Sequence, residues 1–266
     1  MINLAKKLDL VPELITALEK VDKESIELIA QSCRVKGFHI LKSKSSIIRL
    51  AVILSLAVKV KGEYDDAGID ERVYYDTMSD IRLWCESCGN NGLENSNWLK
   101  NHVSFELFRL GRLQFQFYEC NGKAMLYKKL PFDCGEKVVY VHIPRGEKLE
   151  KEKCIESLKK ADDFFKKHFP SYSYSYYFCE SWLLYEGNRD FMAQNSNIVS
   201  FMSLFDIRYS VKIDKQAIER IYGKRQLFKR NYPENTDLQK RAKKYMLGGG
   251  RMGIGVGVIE RTGEYK

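Results

Sequence analysis

The residues that first offer chemistry are 138–149, which read VVYVHIPRGEKL. A stretch of β-type sequence runs through a Pro-Arg-Gly corner into what reads as the start of a helix. Such a corner presents unpartnered backbone amides and the positive end of a helix dipole, which together favour an anion. Gly146 lets a ligand approach the backbone closely, Arg145 adds a fixed charge, and His142 stands just before the corner. The pattern predicts an anion-binding corner, and an ordinary chain-reversing turn stays open as the alternative.

Two further patterns offer weaker chemistry. Cys85 and Cys88 form a single CxxC among seven scattered cysteines, whereas a structural zinc site usually draws its ligands from two such pairs. We therefore predict free thiols and no metal. The glycine-rich GGGRMGIGVGVIER is followed by too few residues for a phosphate-receiving helix. It is better explained as a strand with Gly253, Gly255 and Gly257 on one face, packed closely against a neighbour.

Length and composition indicate a folded protein of one large or two ordinary domains. The chain has 266 residues, and its 44% hydrophobic content is enough to build a core. The opening MINLAKKLDL has no secretory pattern, and IIRLAVILSLAVKV (47–60) is too short for a membrane span and contains Arg49 and Lys59. We expect 47–60 to be a buried helix in a cytoplasmic protein that has no membrane partner.

The positive charge is concentrated in the last third of the chain. The net charge is +9, and residues 208–251 contain thirteen Lys and Arg against four Asp and Glu, which is the same excess. This surface is either a solvated face or a site for a phosphate-bearing small molecule or a nucleic acid. Within it, KRQLFKRNY (224–232) mixes cations with aromatic residues, as surfaces for single-stranded nucleic acids do.

The elements that must position the corner begin with a helical region. Residues 1–109 show apolar residues at three- and four-residue spacing, together with helix caps. One of these caps pairs Thr77 with Asp80 at the start of a helix through Trp84. The pattern predicts a helical N-terminal domain.

From Leu110 the period changes to two, so LGRLQFQFYE (110–119) predicts one strand. A turn at Asn121-Gly122 and a hairpin partner, AMLYKKL (124–130), should follow it. The polar face of the strand contains Arg112, Gln114, Gln116 and Tyr118. A half-exposed antiparallel strand explains such a face without a ligand.

From Val138 the order is strand, helix, strand, helix, strand. These segments are VVYVHI, EKLEKEKCIESLKKADDFFKKHF, SYSYYFCESWLLYE, NSNIVSFMSLF and IRYSVKI. The alternation predicts an α/β or α+β sheet with at least one parallel strand pair joined by a right-handed crossover. A later helix, ENTDLQKRAKKYML, begins with a capping box of Thr236 and Gln239. The expected domains are 1–109 and 110–266.

The order of strand, anion loop, helix, strand, helix, strand resembles the core of the GNAT superfamily of acyl-CoA-dependent acyltransferases. The whole chain is similar to a bacterial group of two-part acyltransferases, which join a helical N-terminal domain to a GNAT-like mixed-sheet C-terminal domain with flanking helices. The phrases behind this resemblance are GID..V..DTMSDIRLW (68–84), WLKNHVSFELFRLGRLQFQ (98–116), VHIPRGEKL (141–149), ESLKKADDFF (156–165), CESWLL (179–184), NSNIVSF (195–201) and ENTDLQKRA (234–242).

The resemblance implies direct transfer of an acyl group from coenzyme A to an amine of a small molecule or peptide, with acetyl-CoA or another acyl-CoA as co-substrate. In such proteins the strand before the loop pairs with the pantetheine amides and the next strand splays away. Here these strands would be 138–143 and 176–184. The loop would hold the pyrophosphate, and the basic C-terminal surface could meet the 3′-phosphate. The implied cofactor residues are His142, Ile143, Arg145, Gly146, Glu147, Lys148, Asn195 and Asn197.

The chain departs from the GNAT pattern at two places. The usual loop reads Gln/Arg-x-x-Gly-x-Gly/Ala, whereas PRGEKL has one glycine and places Glu147 near the phosphates. Many GNAT enzymes have a tyrosine on the helix after the splayed strand as the acid for the leaving thiolate. Leu204 or Phe205 occupies that place here, with Tyr209 just beyond. A non-catalytic GNAT-like binding or regulatory module therefore stays open.

The reaction needs a base for the amine proton and a donor for the oxyanion. On the splayed strand, alternation puts Glu180 and Trp182 on one face, and a carboxylate buried beside tryptophan suits a base. Glu180 is our first candidate base, and His142, on the same face as Tyr140, is the second. The candidates for the acceptor cleft are Arg112, Gln114, Gln116 and Trp182. We assign no chemistry to the widely spaced His39, His102 and His168.

These observations lead us to expect an acyl-CoA-dependent acyltransferase. The alternatives are the non-catalytic module and a nucleic-acid-binding protein that uses residues 208–251. We do not expect a nucleic-acid partner.

Overall fold

A computed structural model describes residues 1–94, 96–121 and 130–265. The chain packs as two compact units, one of Met1–Gln116 with Ile143–Gly146 and one of Phe117–His142 with Glu147–Lys266. The expected hairpin partner at 124–130 falls outside the described residues apart from Leu130. The domain boundary at 109/110 stays a prediction. In the described part of the chain, no helix is long and apolar enough to cross a membrane.

The first unit is built mainly from helices. They are α1 (Ile2–Lys7), α2 (Pro12–Glu19), α3 (Lys23–Lys36), α4 (Ser46–Asp66), α5 (Glu71–Met78), α6 (Asp80–Ser87) and α7 (Lys100–Val103). The Ser45 hydroxyl caps α4 by accepting from the Ile48 amide, and every residue from Leu50 to Ala57 is buried. A helix that is apolar all round belongs in a core. The predicted buried helix at 47–60 is thus confirmed.

The predicted cap that pairs Thr77 with Asp80 is wrong. Thr77 lies inside α5, where its hydroxyl donates to the Val73 carbonyl and accepts from the Arg109 amide. The next helix, α6, starts at Asp80 after Ser79. The Thr77 hydroxyl is therefore engaged with the backbones of Val73 and Arg109 and does not cap α6.

Strand structure begins earlier than the sequence predicted. Strand β1 (Leu107–Leu110) pairs antiparallel with β2 (Leu113–Glu119), with Leu110 opposite Leu113. Gly111 has φ 83°, a value that favours glycine and allows a two-residue hairpin turn. The segment 110–119 is therefore a turn and a strand, and Arg112 lies in the turn.

The second unit contains the remaining elements: β3 (Lys137–His142), α8 (Lys151–His168), β4 (Tyr176–Ser181), α9 (Asn197–Met202), β5 (Asp206–Val211), α10 (Lys215–Tyr222), α11 (Asp237–Leu247) and β6 (Ile254–Glu260). Within the described residues, six strands are hydrogen-bonded in the order β1-β2-β3-β4-β6-β5. Strands β3 and β4 are parallel, as predicted, and the other registered pairs are antiparallel. The α+β class with a mixed sheet is confirmed, whereas α10 was not predicted.

The helix after the corner has its expected apolar stripe but a later start. Helix α8 has 18 residues and buries Cys154, Leu158, Ala161 and Phe165 on one stripe. It begins at Lys151 after Glu150, not at Glu147. The capping box of Thr236 and Gln239 at the start of α11 is confirmed.

Strand β6 lies between β4 and β5, and its glycines face closely packed neighbours. A Cβ atom on Gly255 would lie 2.0 Å from the Leu184 carbonyl oxygen, and one on Gly257 would lie 3.0 Å from the Phe205 Cβ. The opposite face places Val256 and Val258 in a core cluster with Phe178. Close packing on the glycine face was the predicted cause of this pattern, and it is confirmed.

Candidate functional site

Near the ends of β3 and β4, one tyrosine side chain takes the place of a backbone hydrogen-bond partner. The strands are registered at Val139–Tyr177 and Tyr140–Phe178, and they continue to His142 and Ser181. The Glu180 amide donates to the Tyr140 hydroxyl oxygen (3.2 Å), and that hydroxyl donates to the Glu180 carbonyl (3.1 Å). In a regular ladder these groups would bond a neighbouring backbone. The Tyr140 hydroxyl therefore provides the hydrogen bonds to the backbone of β4 just beyond the last registered pair of the two strands.

Tyr140 also connects the two candidate bases. Its ring stacks on the His142 imidazole with centroids 4.3 Å apart and an interplanar angle of 12°. Burial raises the pKa of the Tyr140 phenol well above its ordinary value. The phenol thus stays protonated and continues to donate its hydrogen bond to the Glu180 backbone carbonyl. His142 and Glu180 are both half-buried at the ends of their strands.

Trp182 does not share the strand face that the sequence predicted. Strand β4 ends at Ser181, whose hydroxyl accepts from the Leu183 amide (3.2 Å) and starts a short 3₁₀ helix at Trp182–Leu184. The Trp182 amide donates to the Gln216 side chain (2.6 Å), and only 8% of Trp182 is exposed. The predicted strand over 176–184 is confirmed for Tyr176–Ser181 and wrong for 182–184, because this serine turns the chain.

The corner itself is an exposed loop. Arg145, Gly146, Glu147 and Lys148 are exposed, whereas Ile143 is half-buried and Pro144 is buried. Gly146 has φ 107°, a backbone conformation that L side chains rarely adopt. Since α8 starts only at Lys151, the amides of 145–148 lie outside the helix. The prediction that the corner opens a helix is wrong.

Side chains of the first unit fix residues 143–146, which pack with that unit. The Arg112 guanidinium donates to the Pro144 carbonyl (3.0 Å), and the Arg145 guanidinium lies 5.9 Å from the centre of the Trp84 ring. Leu83 approaches the position that a Cβ of Gly146 would take. Arg112, which we had placed on an acceptor-facing strand, instead holds the loop backbone from a buried position.

The sequence missed a buried polar network in the first unit. An Asp80 carboxylate oxygen lies 3.1 Å from His102 Nε2 and accepts from the Trp98 indole (2.9 Å). Gln114 is fully buried with its amide nitrogen 3.3 Å from His102 Nε2, so the expected half-exposed polar face is wrong there. Gln116 is half-buried.

The network determines the charge on Asp80. Burial alone would raise the pKa of this carboxyl, but the hydrogen bond and charge of His102 outweigh it, with help from Trp98, and the pKa lies below its usual value. His102 Nδ1 and Gln114 Oε1 are buried without a hydrogen-bond partner among the described atoms. No local spacing signals this network, because its members come from separate elements.

The remaining candidates lie on or near α9. Asn195 and Asn197 are exposed at its start, where the Ser196 hydroxyl accepts from the Val199 amide. Helix α9 packs against α8 and against the turn at 182–184. Tyr209 lies on β5 and is 37% exposed.

The basic C-terminal part contains an open cavity of about 690 Å³ along α11. Its lining combines Lys240, Arg241 and Lys244 with Asp190 and Asp237. The aromatic side is made by Tyr245, whose ring stacks on Phe191. The mixed charges make this cavity less selective for phosphate than the count of cations alone indicates.

Comparison with known proteins gives matches over nearly the whole chain. Residues 5–105 match the family described as the N-acyltransferase N-terminal domain, and residues 107–259 match the GNAT-like C-terminal domain. No curated protein matches significantly.

Solved structures share the fold. One is an acyltransferase in complex with decanoyl-CoA and teicoplanin, with a TM-score of 0.81. Others are an acyltransferase mutant with octanoyl-CoA and an acyltransferase with CoA and 10C-teicoplanin, each with a TM-score of 0.79. Each is 18% identical and covers 97% of this chain and 86% of its own.

Proposed function

Because this chain belongs to the family that joins an N-acyltransferase N-terminal domain to a GNAT-like C-terminal domain, we propose that it transfers an acyl group from acyl-CoA directly to an amine. The general class, an acyl-CoA-dependent acyltransferase, follows from this membership. The residues, the acyl donor and the acceptor are our proposal.

The end of pairing between β3 and β4 is the observation that supports the proposal most. Where two parallel strands part, the backbone of one becomes available to an extended ligand that carries amides. The pantetheine arm of coenzyme A is such a ligand. At Glu180, the backbone amide and carbonyl of β4 are both hydrogen-bonded to the Tyr140 hydroxyl. The end of strand pairing therefore leaves neither group unpaired.

The loop is the proposed pyrophosphate site. Residues 145–148 are exposed, and the side chains of Arg145 and Lys148 offer donors and positive charge to an anion. Glu147 is the exception, and we propose that its side chain points away from the bound phosphates. Asn195 and Asn197 remain proposed cofactor contacts.

His142 is the proposed base, with Glu180 as the competing candidate. The amine nitrogen attacks the thioester carbonyl carbon while the base removes the amine proton. The carbon–sulfur bond then breaks, and the thiolate takes up a proton to leave as free coenzyme A. A neutral imidazole nitrogen can accept a proton and suits this role. Its stacking on Tyr140 fixes the ring plane.

The ligands of the structural neighbours support a proposal for the acyl donor and the acceptor. Those proteins were solved with octanoyl- and decanoyl-CoA and with teicoplanin, so we propose that medium-chain acyl-CoAs are donors alongside acetyl-CoA. A small molecule or peptide with an accessible amine is the proposed acceptor. Gln116 and Trp182 remain candidates for contacts with it, whereas Gln114 is buried in the network of Asp80 and His102.

Calorimetric titration with acetyl-, octanoyl- and decanoyl-CoA tests donor binding directly. The loop is tested with Gly146→Ala, and Gly135→Ala is its matched control, because Gly135 is also exposed with a positive φ of 88° and has open space around its Cβ position. Both variants carry similar backbone strain. Only Gly146→Ala should weaken acyl-CoA binding severalfold.

The base is tested by thiol release with an amine acceptor. His142→Ala should lower turnover about a hundredfold or more while leaving acyl-CoA affinity close to that of the wild type, whereas His168→Ala should leave both unchanged. If Glu180 is the base instead, Glu180→Gln should lower turnover in the same assay. Absence of acyl-CoA binding at millimolar concentration would overturn the proposed function, and equal loss of affinity in both glycine variants would overturn the role of the loop.

A further inference from the structure

An exposed loop follows α10 and combines apolar and basic side chains. Residues 223–231 read GKRQLFKRN, with four Lys and Arg and no Asp or Glu. Leu227 is 88% exposed and Phe228 is 52% exposed. Large apolar side chains adjacent on a surface and flanked by one sign of charge commonly mark an interaction site.

Framework contacts hold this loop in place. The Lys229 ammonium donates to the Met246 carbonyl (2.9 Å), and the Gln226 amide donates to the Tyr232 hydroxyl (3.3 Å). Tyr232 is buried and stacks on Tyr222 at 4.3 Å. The apolar side chains are thus presented by an anchored segment.

The contact at Met246 brings the loop next to a third exposed apolar residue. Leu247, the last residue of α11, directly follows Met246 and is 56% exposed. We call Lys224–Arg230 together with Leu247 the basic-apolar loop. Within it, Arg225 pairs with Asp214, and the Arg230 guanidinium lies 5.2 Å from the centre of the Phe228 ring.

We propose that the basic-apolar loop docks on the surface of an anionic lipid bilayer. The aliphatic and aromatic side chains would enter the headgroup boundary, and the cations would face the anionic headgroups. The binding is peripheral, weak and reversible, since few side chains insert. The expectation of no membrane partner rested only on the missing spanning segment, so it did not address this loop.

A lipid surface fits the loop better than a nucleic acid does. Single strands are bound by stacking bases on exposed aromatic rings, and Tyr232 is 4% exposed and already stacked. Phe228 carries Arg230 beside its ring. The most exposed apolar side chain is Leu227, which has no ring on which a base could stack but suits hydrocarbon.

Vesicle sedimentation of the full chain tests the proposal. Phosphatidylglycerol–phosphatidylcholine vesicles should pull down the protein at low salt, and pure phosphatidylcholine vesicles should not. The double change Leu227→Ser and Phe228→Ser should weaken binding about tenfold or more at unchanged charge. Its matched control is Val35→Ser, since Val35 is 85% exposed but lies in the first unit. That control should bind like the wild type.

The charge contribution is tested in the same assay. Reversing Lys224 and Arg230 to Glu should weaken binding by about 25-fold or more, at roughly fivefold for each cation near an anionic surface. Reversing Lys166 and Lys167, which are exposed at the end of α8, gives the same change in net charge and should have a smaller effect.

Three results would overturn the proposal. They are vesicle binding that survives the double serine change, equal losses from both pairs of charge reversals, and tighter binding to a single-stranded oligonucleotide than to anionic vesicles at the same salt concentration. The last result would favour a nucleic-acid surface. Thermal melting of each variant verifies folding.

Discussion

Changing Gly255 to alanine is the most direct test of how β6 is packed. A Cβ there would lie 2.0 Å from the Leu184 carbonyl oxygen and 2.3 Å from its carbon, about 1 Å inside the shortest contacts that Cβ atoms make. Both obstacles are backbone atoms and cannot rotate away. Strand β6 pairs with Ser181 of β4 and Ser210 of β5 at this residue, so relief must disturb both ladders.

The expected cost combines overpacking with weakened ladder hydrogen bonds. Forcing an extra methyl into a packed interior costs about 1–3 kcal/mol or more, and each lost hydrogen bond adds about 1 kcal/mol. A total of about 4 kcal/mol corresponds to a melting temperature lower by about 8 °C for a chain of this length. Thermal and urea denaturation followed by circular dichroism measure the change.

The matched control is Gly62→Ala, in the interior of α4. No atom lies within 4 Å of its Cβ position, and its φ is ordinary, so alanine should raise stability by about 0.5–1 kcal/mol. A Gly255→Ala protein that melts within 1 °C of the wild type, or a Gly62→Ala protein that is equally destabilised, would refute the packing argument.

Three other changes test the residues around the site. Asp80→Asn leaves His102 without its buried carboxylate partner and should lower the free energy of unfolding by about 3–5 kcal/mol in urea titrations. The pKa of Asp80 is lower in the folded than in the unfolded protein, so the ionised carboxylate stabilises the fold above the unfolded pKa of about 4. This stabilisation is lost as pH falls through the folded pKa, and the Asn variant should lack this acid-dependent loss. Tyr140→Phe removes two hydrogen bonds to the backbone of Glu180 and should cost about 2 kcal/mol by the same titration. Arg112→Lys should raise the KM for acyl-CoA severalfold with little change in kcat, since it loosens the loop backbone.

Each of these expectations has a contradicting result. Equal acid sensitivity in the wild type and the Asn variant would mean that other carboxyls dominate acid unfolding. If the Phe variant is as stable as the wild type, water or a shift of β3 provides the hydrogen bonds to the Glu180 backbone. A lower kcat at unchanged KM for Arg112→Lys would place its role in the chemical step and not in donor binding.

Local periodicity predicted the main elements well. A stripe that includes Leu158, Ala161 and Phe165 identified α8, and alternation identified the glycine face of β6. Both signals are repeated along an element, so they survive an error of one or two residues at the ends.

The failures occurred where one residue overrides the pattern. The Ser181 hydroxyl ends β4 and turns Trp182 off the predicted face, and Gly111 divides a ten-residue alternation into a turn and a strand. Periodicity contains no information about such side-chain-to-backbone bonds. The same limit explains why Glu180 and His142 could be proposed from strand positions, whereas the bridge by Tyr140 could not.

The network of Asp80 and His102 lay beyond sequence reasoning for another reason. Its members are far apart in the chain and meet only through tertiary packing. Each residue alone resembles an ordinary surface polar residue, and only their shared burial reveals the network.

The bridge made by Tyr140 changes how relatives of this chain should be compared. Tyrosine and phenylalanine usually count as interchangeable because they fill nearly the same volume. At this position the hydroxyl oxygen takes the place of backbone partners, accepting from the Glu180 amide and donating to the Glu180 carbonyl. A relative with phenylalanine there lacks both of these hydrogen bonds. Position 140 is therefore a one-letter indicator, readable in any aligned sequence, of whether this bridge between β3 and β4 is retained.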